Sequence, residues 1–200
     1  MTLDHILGDL WGHGIPVVAI ERLPSPAFQG AAFVVHGRPV IVVVHKHDEP
    51  GRVAHLVTHE GGHIAQGDCQ EGQPVVDEED EVPDNDEIEA KADRYARRVL
   101  VGADTVPSVQ GGDFKQLATE ALAIERSTGA DASAVIFAWA AQTGDYAAAS
   151  MAVRALYRGS GARRRLQEHL EKNVDAERAS ESDRALLRCV LGHMADAAAG

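Results

Sequence analysis

The periodicity of the apolar residues changes near residue 45 of this chain. Before that point, three runs rich in β-branched residues have the length of strands: residues 15–20, 31–35 and 40–44. After it, apolar residues recur every three or four positions, as they do on one face of a helix. The sequence therefore predicts an α+β fold. A small, mainly antiparallel sheet is expected to pack on helices, with a helical C-terminal region after it.

Turn and cap residues set the expected boundaries of these elements. The segment His36-Gly37-Arg38-Pro39 reads as a hairpin turn, so the second and third strands are predicted to be antiparallel. Helices are predicted over residues 2–12, 50–67 and 86–100, and through most of the chain after residue 112. Asp48 or Glu49 is predicted to cap the start of the helix at residue 50. The later helices are predicted to begin after Asp113, Asp131 and Asp145, with breaks between helices at Gly129, Gly144 and Gly159. We divide the chain into a core, residues 1–107, and a helical region, residues 108–200.

Charge and cysteine content narrow the classes of partner and compartment. The formal net charge is -12, which disfavours direct nucleic-acid binding because phosphates are bound by Lys and Arg. Basic proteins or peptides suit such a surface better. Cys69 and Cys189 form no CxxC pattern, and no signal peptide or membrane span is visible, so a cytoplasmic protein with no membrane contact is expected.

The helix predicted from residue 50 contains the segment His59-Glu60-Gly61-Gly62-His63. Residues four apart stack on one helix face, about 6 Å along the axis, so His59 and His63 can converge on one Zn²⁺. Glu60 is rotated by about 100° from His59 and flanks the metal without binding it. From there it can act as the general base that takes a proton from a water on the metal.

A catalytic zinc site needs a third protein ligand and one open position. Glu89 is the best candidate, because the later helix also carries Asp93 four residues on, which can orient a ligand imidazole. Glu87 and Cys69 are the other candidates for this third ligand. His55 shares the stripe of His59 but lies about 12 Å along the axis from His63, too far for all three to share one ion.

Two further features leave alternatives open. Gly61 and Gly62 each lower the helix propensity, on the order of 1 kcal/mol relative to Ala. Their presence suggests close approach of another element or of substrate; the alternative is plain tolerance in a packed helix.

Residues 68–90 hold eleven acidic residues and no Lys or Arg. A solvated acidic loop is expected there, and a role in holding a basic partner is the alternative.

The motif at residues 59–63, together with the segment from Glu89 to Leu100, resembles the ImmA/IrrE family of metallopeptidases, which belong to the gluzincins. The family pattern is HExxH on one helix, followed on the next by Glu-x-x-Ala-(Asn/Asp)-x-(Phe/Tyr)-Ala. The matching positions here are Glu89, Ala92, Asp93, Tyr95 and Ala96. The central Gly-Gly departs mildly from the family's usual Leu-Gly, and the segment 99–102 lacks the common Leu-Met-Pro ending.

This resemblance implies a zincin-like core with Zn²⁺ held by His59, His63 and Glu89, and with Glu60 as the acid and base. It also implies site-specific cleavage of a partner protein, typically a repressor with a helix-turn-helix that is encoded nearby. The alternative from another class is a metal-binding regulatory module that binds a partner without cutting it. A metallo-hydrolase acting on something other than a peptide is a third possibility.

An extended substrate satisfies its backbone groups by pairing with a sheet edge. The strand at 40–44 directly precedes the motif helix, so we expect it to be that edge. It ends in His45-Lys46-His47, and alternation puts both imidazoles on one side. Either His45 or His47 is then a candidate donor to a developing oxyanion, and solvent exposure in a loop is the alternative.

Overall fold

The computed structural model describes residues 1–20, 28–44, 47–72, 75–78, 86–102 and 113–190. Its strands are β1 (Val17–Ile20), β2 (Phe28–Val35), β3 (Arg38–Val44) and β4 (Val75–Glu78). Its helices are α1 (Leu3–Gly12), α2 (Pro50–Gln66), α3 (Asp86–Val101), α4 (Phe114–Thr128), α5 (Ala132–Thr143), α6 (Tyr146–Ala155), α7 (Ala162–Asn173) and α8 (Glu181–Val190). The predicted α+β class is confirmed: a small sheet packs on helices and a helical region follows.

The sheet has the strand order β1-β3-β2-β4. The β2–β3 hairpin is antiparallel, as the turn at His36-Gly37 predicted, and β2 also pairs antiparallel with β4. In contrast, β1 pairs parallel with β3, so the sheet is mixed.

The expectation that β3 is an edge strand was wrong. β3 lies between β1 and β2, and its residues 41–44 are all buried. A continuous apolar run such as Ile41-Val42-Val43-Val44 is typical of a strand covered on both faces, whereas a half-exposed edge strand alternates. The lack of alternation in this run is therefore the feature of the sequence that indicates a central position.

Strand β4 was not predicted, because it lies inside the acidic segment. Its sequence is Val-Val-Asp-Glu, so two valines are its only apolar residues. Such a short run falls below the length that a strand pattern needs. Here the strand forms by pairing with β2, with Val76 opposite Ala31. The segment 68–90 is therefore not wholly a loop.

The core of the protein surrounds α5. This helix is apolar on every side, and residues 132–140 are all buried. One buried cluster joins it to side chains of α1, β1, β3, α2, α3, α4, α6 and α7. The cluster contains residues from both sides of the predicted division at residue 107, and that division stays a prediction.

The predicted caps of the later helices are confirmed. The carboxylates of Asp113, Asp131 and Asp145 accept backbone N–H groups at the starts of α4, α5 and α6. At α2, Glu49 occupies the N-cap position without a side-chain cap, and the carboxylate of Asp48 instead accepts the N–H groups of Gly161 and Arg163 at the start of α7. Among the described residues, no helix is both long and apolar enough to cross a membrane.

Candidate metal centre

Helix α2 presents the motif residues to the interior of the protein. It begins at Pro50, whose missing N–H costs nothing at a first-turn position, and it ends at Gly67 in the left-handed region, with φ of 78°. Between them, α2 packs against α3, α5 and the sheet strands β2 and β3. This surrounding packing buries His59, Glu60 and His63, although all three are polar.

The structure brings the three predicted ligands together. The Nε2 atoms of His59 and His63 are 3.1 Å apart. Glu89 Oε2 lies 3.1 Å from His59 Nε2, and Glu89 Oε1 lies 3.6 Å from His63 Nε2. Two ligands each about 2.1 Å from a tetrahedral zinc ion are about 3.4 Å apart, so these separations fit one ion. This donor set is the part of the described chain that could hold a metal.

The competing ligands do not join this group. Glu87 is mostly exposed and its Oε1 lies 2.9 Å from Lys91 Nζ, one turn along α3. Cys69 is partly buried near the site, and burial, with the charges of Glu60 and Asp68, raises the pKa of its thiol to about 11. His55 is buried beside His59, with ring centroids 6.5 Å apart, and stays outside the group. Neither Cys69 nor His55 thus lies among the grouped ligand atoms.

Each ligand imidazole makes a second contact through Nδ1. His59 Nδ1 donates to Asp93 Oδ1 at 3.0 Å, the contact predicted from the four-residue spacing on α3. His63 Nδ1 donates to Asp68 Oδ2 at 3.2 Å, which was not predicted. Both Nε2 atoms are therefore directed to the same point, because each ring is fixed from its other nitrogen.

The electrostatics of the metal-free site favour a positive charge on His59. Burial lowers the pKa of His59, but hydrogen bonds to Asp93 and Glu89 and the charge of Glu60 outweigh it and raise that pKa to about 10. In turn, hydrogen bonds from His59 and His63 lower the pKa of Glu89 to about 2. A divalent cation is attracted to the same place by these carboxylates. To bind there, it has to compete with the proton for the lone pair of His59 Nε2.

Glu60 is fully buried, with 0% of its surface exposed. It lies against Gly30 of β2, where a Cβ atom would overlap Glu60 Oε1 and lie 2.9 Å from Leu56 Cδ1. Gly30 therefore gives the Glu60 carboxylate its space between α2 and the sheet. Sequence reasoning missed this role, because Gly30 becomes a neighbour of Glu60 only through the packing of β2 on α2.

The two motif glycines have different surroundings. A Cβ on Gly62 would lie 3.1 Å from the Cα of Ala92, so this position allows close approach of α3. Within the described part of the chain, a Cβ on Gly61 would meet no atom within 4 Å apart from the neighbouring backbone of α2 itself. The close-approach interpretation therefore holds for Gly62, with α3 as the approaching element, and Gly61 carries no such contact.

The candidate oxyanion donors gain no support from the described residues. His45 lies outside them. The Nδ1 of His47 lies 3.9 Å from Glu49 Oε2, at the start of α2, and His47 is not part of the grouped ligand atoms. The edge-strand argument that suggested both residues also fails, since β3 is central.

Comparisons with known proteins add no assignment to this geometry. The chain matches no family model, and a search of curated proteins found no match.

Proposed function

We propose that this protein is a zinc-dependent metallopeptidase of the HExxH type, with His59, His63 and Glu89 as ligands and Glu60 as general base and acid. The observation that carries the proposal is the convergence of both Nε2 atoms and the Glu89 carboxylate on one point. A buried carboxylate follows directly after the first ligand in the sequence. Three protein ligands leave one tetrahedral position open, as in catalytic rather than closed structural zinc sites.

The residues divide the work of peptide hydrolysis between them. When bound, zinc supplies Lewis acidity that lowers the pKa of water to about 7 and polarises a carbonyl group. Glu60 takes the proton from the attacking water and returns it to the leaving amine. Its burial against Gly30 excludes bulk water from the carboxylate and holds it in one place. Asp93 holds His59 in the tautomer that directs Nε2 to the ion.

Of the two edge strands of the sheet, β1 packs against α1, α7 and α8, so β4 is the edge that we assign to an extended substrate. Within the described residues, β4 pairs only with β2, the strand that carries Gly30 beside Glu60. An added strand would satisfy its backbone groups along that edge. The acidic composition of residues 68–90 and the net charge of -12 favour a basic substrate segment.

The resemblance to the ImmA/IrrE family supports one class of substrate, a partner protein such as a helix-turn-helix repressor encoded nearby. Cleavage of the repressor, rather than direct contact with DNA, would then control transcription. A cytoplasmic setting agrees with the low cysteine content.

A non-proteolytic regulatory module that binds metal and a partner is the second candidate. The same three ligands support it, since metal binding alone does not need Glu60. The buried Glu60 carboxylate favours the peptidase, because burying a carboxylate costs free energy and a role as general base gives this position a function.

The test combines metal analysis with a cleavage assay on the candidate partner. Purified protein should carry close to one zinc per chain, and Glu89→Ala should lose most of it. Glu60→Gln should keep the zinc and lose cleavage by about 10²–10⁴-fold, because only the proton-transfer group is removed. Full biological activity of Glu60→Gln with normal zinc would favour the binding module, whereas full zinc in Glu89→Ala would exclude Glu89 as a ligand.

A further inference from the structure

We propose that Asp68 is a positioning residue of the metal centre, which orients His63 through Nδ1 as Asp93 orients His59. The inference rests on the proposed metal site and adds a residue that the HExxH spacing does not reveal. It concerns a short segment after α2, residues 67–72, that is fixed to the rest of the protein at both ends.

The contact between Asp68 and His63 has two parts. The side-chain part joins Asp68 Oδ2 to His63 Nδ1 at 3.2 Å. The backbone part joins the same two residues again, because the N–H of Asp68 donates to the carbonyl oxygen of His63 at 3.0 Å. Gly67 makes this possible, since its φ of 78° turns the chain back towards the last turn of α2.

The far end of the segment is held by Glu71. Its Oε1 accepts the N–H of His36 and its Oε2 accepts the N–H of Gly37, both at 2.9 Å. Residue 71 also forms a parallel bridge with Val34 of β2. Asp68 is thus placed by a segment that is attached to α2 on one side and to the β2–β3 turn on the other.

The chemistry of imidazole explains what Asp68 does. A neutral imidazole has one N–H donor and one lone-pair acceptor, and only the lone pair binds a metal. Asp68 accepts the hydrogen on Nδ1, so the lone pair of His63 stays on Nε2, which faces Glu89 and His59. The side chain of His63 is only 1% exposed, so its Nδ1 meets Asp68 rather than bulk water. The carboxylate also adds negative charge close to the cation.

The experiment measures zinc affinity by competition with a chelator in wild-type protein, Asp68→Asn and Asp68→Ala. Mutation of a residue that hydrogen-bonds to a ligand histidine typically weakens metal binding by about 10–100-fold. Asp68→Ala should therefore weaken zinc binding by about that factor. Asp68→Asn keeps a hydrogen-bond acceptor and should fall between wild type and Ala. Asp175→Asn is the matched control, because the side chain of Asp175 is exposed and accepts a local backbone N–H from Glu177, and the substitution removes the same charge.

Two further readouts separate positioning from general stability. Cobalt(II) bound in place of zinc should show a shifted absorption spectrum in Asp68→Ala, because the ligand field changes when His63 rotates. Thermal unfolding of the metal-free proteins reports any loss of fold, and Asp68→Asn remains informative if the Ala variant does not fold. Wild-type affinity and an unchanged cobalt spectrum in Asp68→Ala would overturn the inference. Absence of zinc binding in the wild-type protein would instead overturn the proposed function.

Discussion

Gly62 of α2 and Ala92 of α3 are in such close contact that a Cβ on Gly62 would lie 3.1 Å from the Cα of Ala92 and 3.3 Å from its carbonyl oxygen. Ala92 is itself fully buried and has the smallest side chain after glycine. The two positions together set the separation of the two helices that carry the candidate ligands. Glu89 and Asp93 flank Ala92 in sequence, so their distances to His59 depend on this contact.

Replacing Gly62 with Ala should push α3 away from α2 and weaken zinc binding, because the two nearest atoms are the backbone Cα and carbonyl oxygen of Ala92, which cannot rotate aside. Overpacking of this kind costs about 1–3 kcal/mol of unfolding free energy. Gly61→Ala is the matched control: its Cβ meets nothing within 4 Å, and the change should stabilise the helix by about 1 kcal/mol. Denaturant unfolding and zinc titration of both variants provide the measurement. Equal zinc affinity in the two would mean that α3 adjusts without moving Glu89.

Gly30→Ala should impair cleavage while the zinc is retained. The new Cβ would overlap Glu60 Oε1, so the carboxylate has to leave its position, whereas the atoms nearest to that Cβ belong to Glu60 and Leu56 and to none of the three ligands. The expected loss of stability is again about 1–3 kcal/mol. Zinc content, unfolding and cleavage rate are measured on the same preparation. Cleavage at the wild-type rate would show that β2 can shift away from Glu60 without consequence.

Zinc binding should become stronger as the pH rises. In the metal-free protein, burial lowers the pKa of His59 but its hydrogen bonds to Asp93 and Glu89 raise it to about 10, so the ring carries a proton near neutral pH. The ion must displace that proton, so affinity should rise at least about tenfold per pH unit from about pH 6 to 8. Calorimetry in buffers of different ionisation enthalpy counts the released protons. A pH-independent affinity would mean that His59 is already neutral before the metal binds.

The metal-free protein should show a different pH dependence of stability. Because the pKa of His59 is raised from 6.5 to about 10, its contribution is complete below pH 6.5 and is lost as the pH rises towards 10. Because the pKa of Glu89 is lowered from 4.5 to about 2, its contribution is present above pH 4.5 and is lost as the pH falls towards 2. Stability from this pair should therefore be greatest between pH 4.5 and 6.5. Denaturant unfolding in the presence of a chelator checks this. Glu89→Gln should remove the acid limb and reduce the alkaline one, because the hydrogen bond from Asp93 still raises the pKa of His59.

The parts of the site that follow from helix periodicity could be predicted from sequence. His59 and His63, and again Glu89 and Asp93, are four residues apart, and this spacing alone places each pair on one helix face. The structure then brings the two faces together, as the prediction required. The metal itself and the cleavage reaction stay predictions.

The parts that depend on tertiary packing could not be predicted. Asp68 reaches His63 only because Gly67 reverses the chain after α2, and the many acidic residues around it gave no reason to single it out. Gly30 meets Glu60 across two elements that are distant in sequence. The continuous apolar run of β3 indicates its central position. The place of β1 could not be predicted, because β1 precedes the β2–β3 hairpin and no tight turn joins it to β3, its parallel neighbour.

The packing of α2 against α5 has a consequence for the order of events during synthesis. A Cβ on Gly51 would collide with the backbone of Ser133, so the start of the ligand helix fits directly against residues near the start of α5. A ribosome adds about 5–20 residues per second, so the HExxH segment leaves it several seconds before residues 132–143 do. During that interval the ligand helix lacks one of its packing partners. We expect stable metal loading at this centre to follow the emergence of α5 from the ribosome.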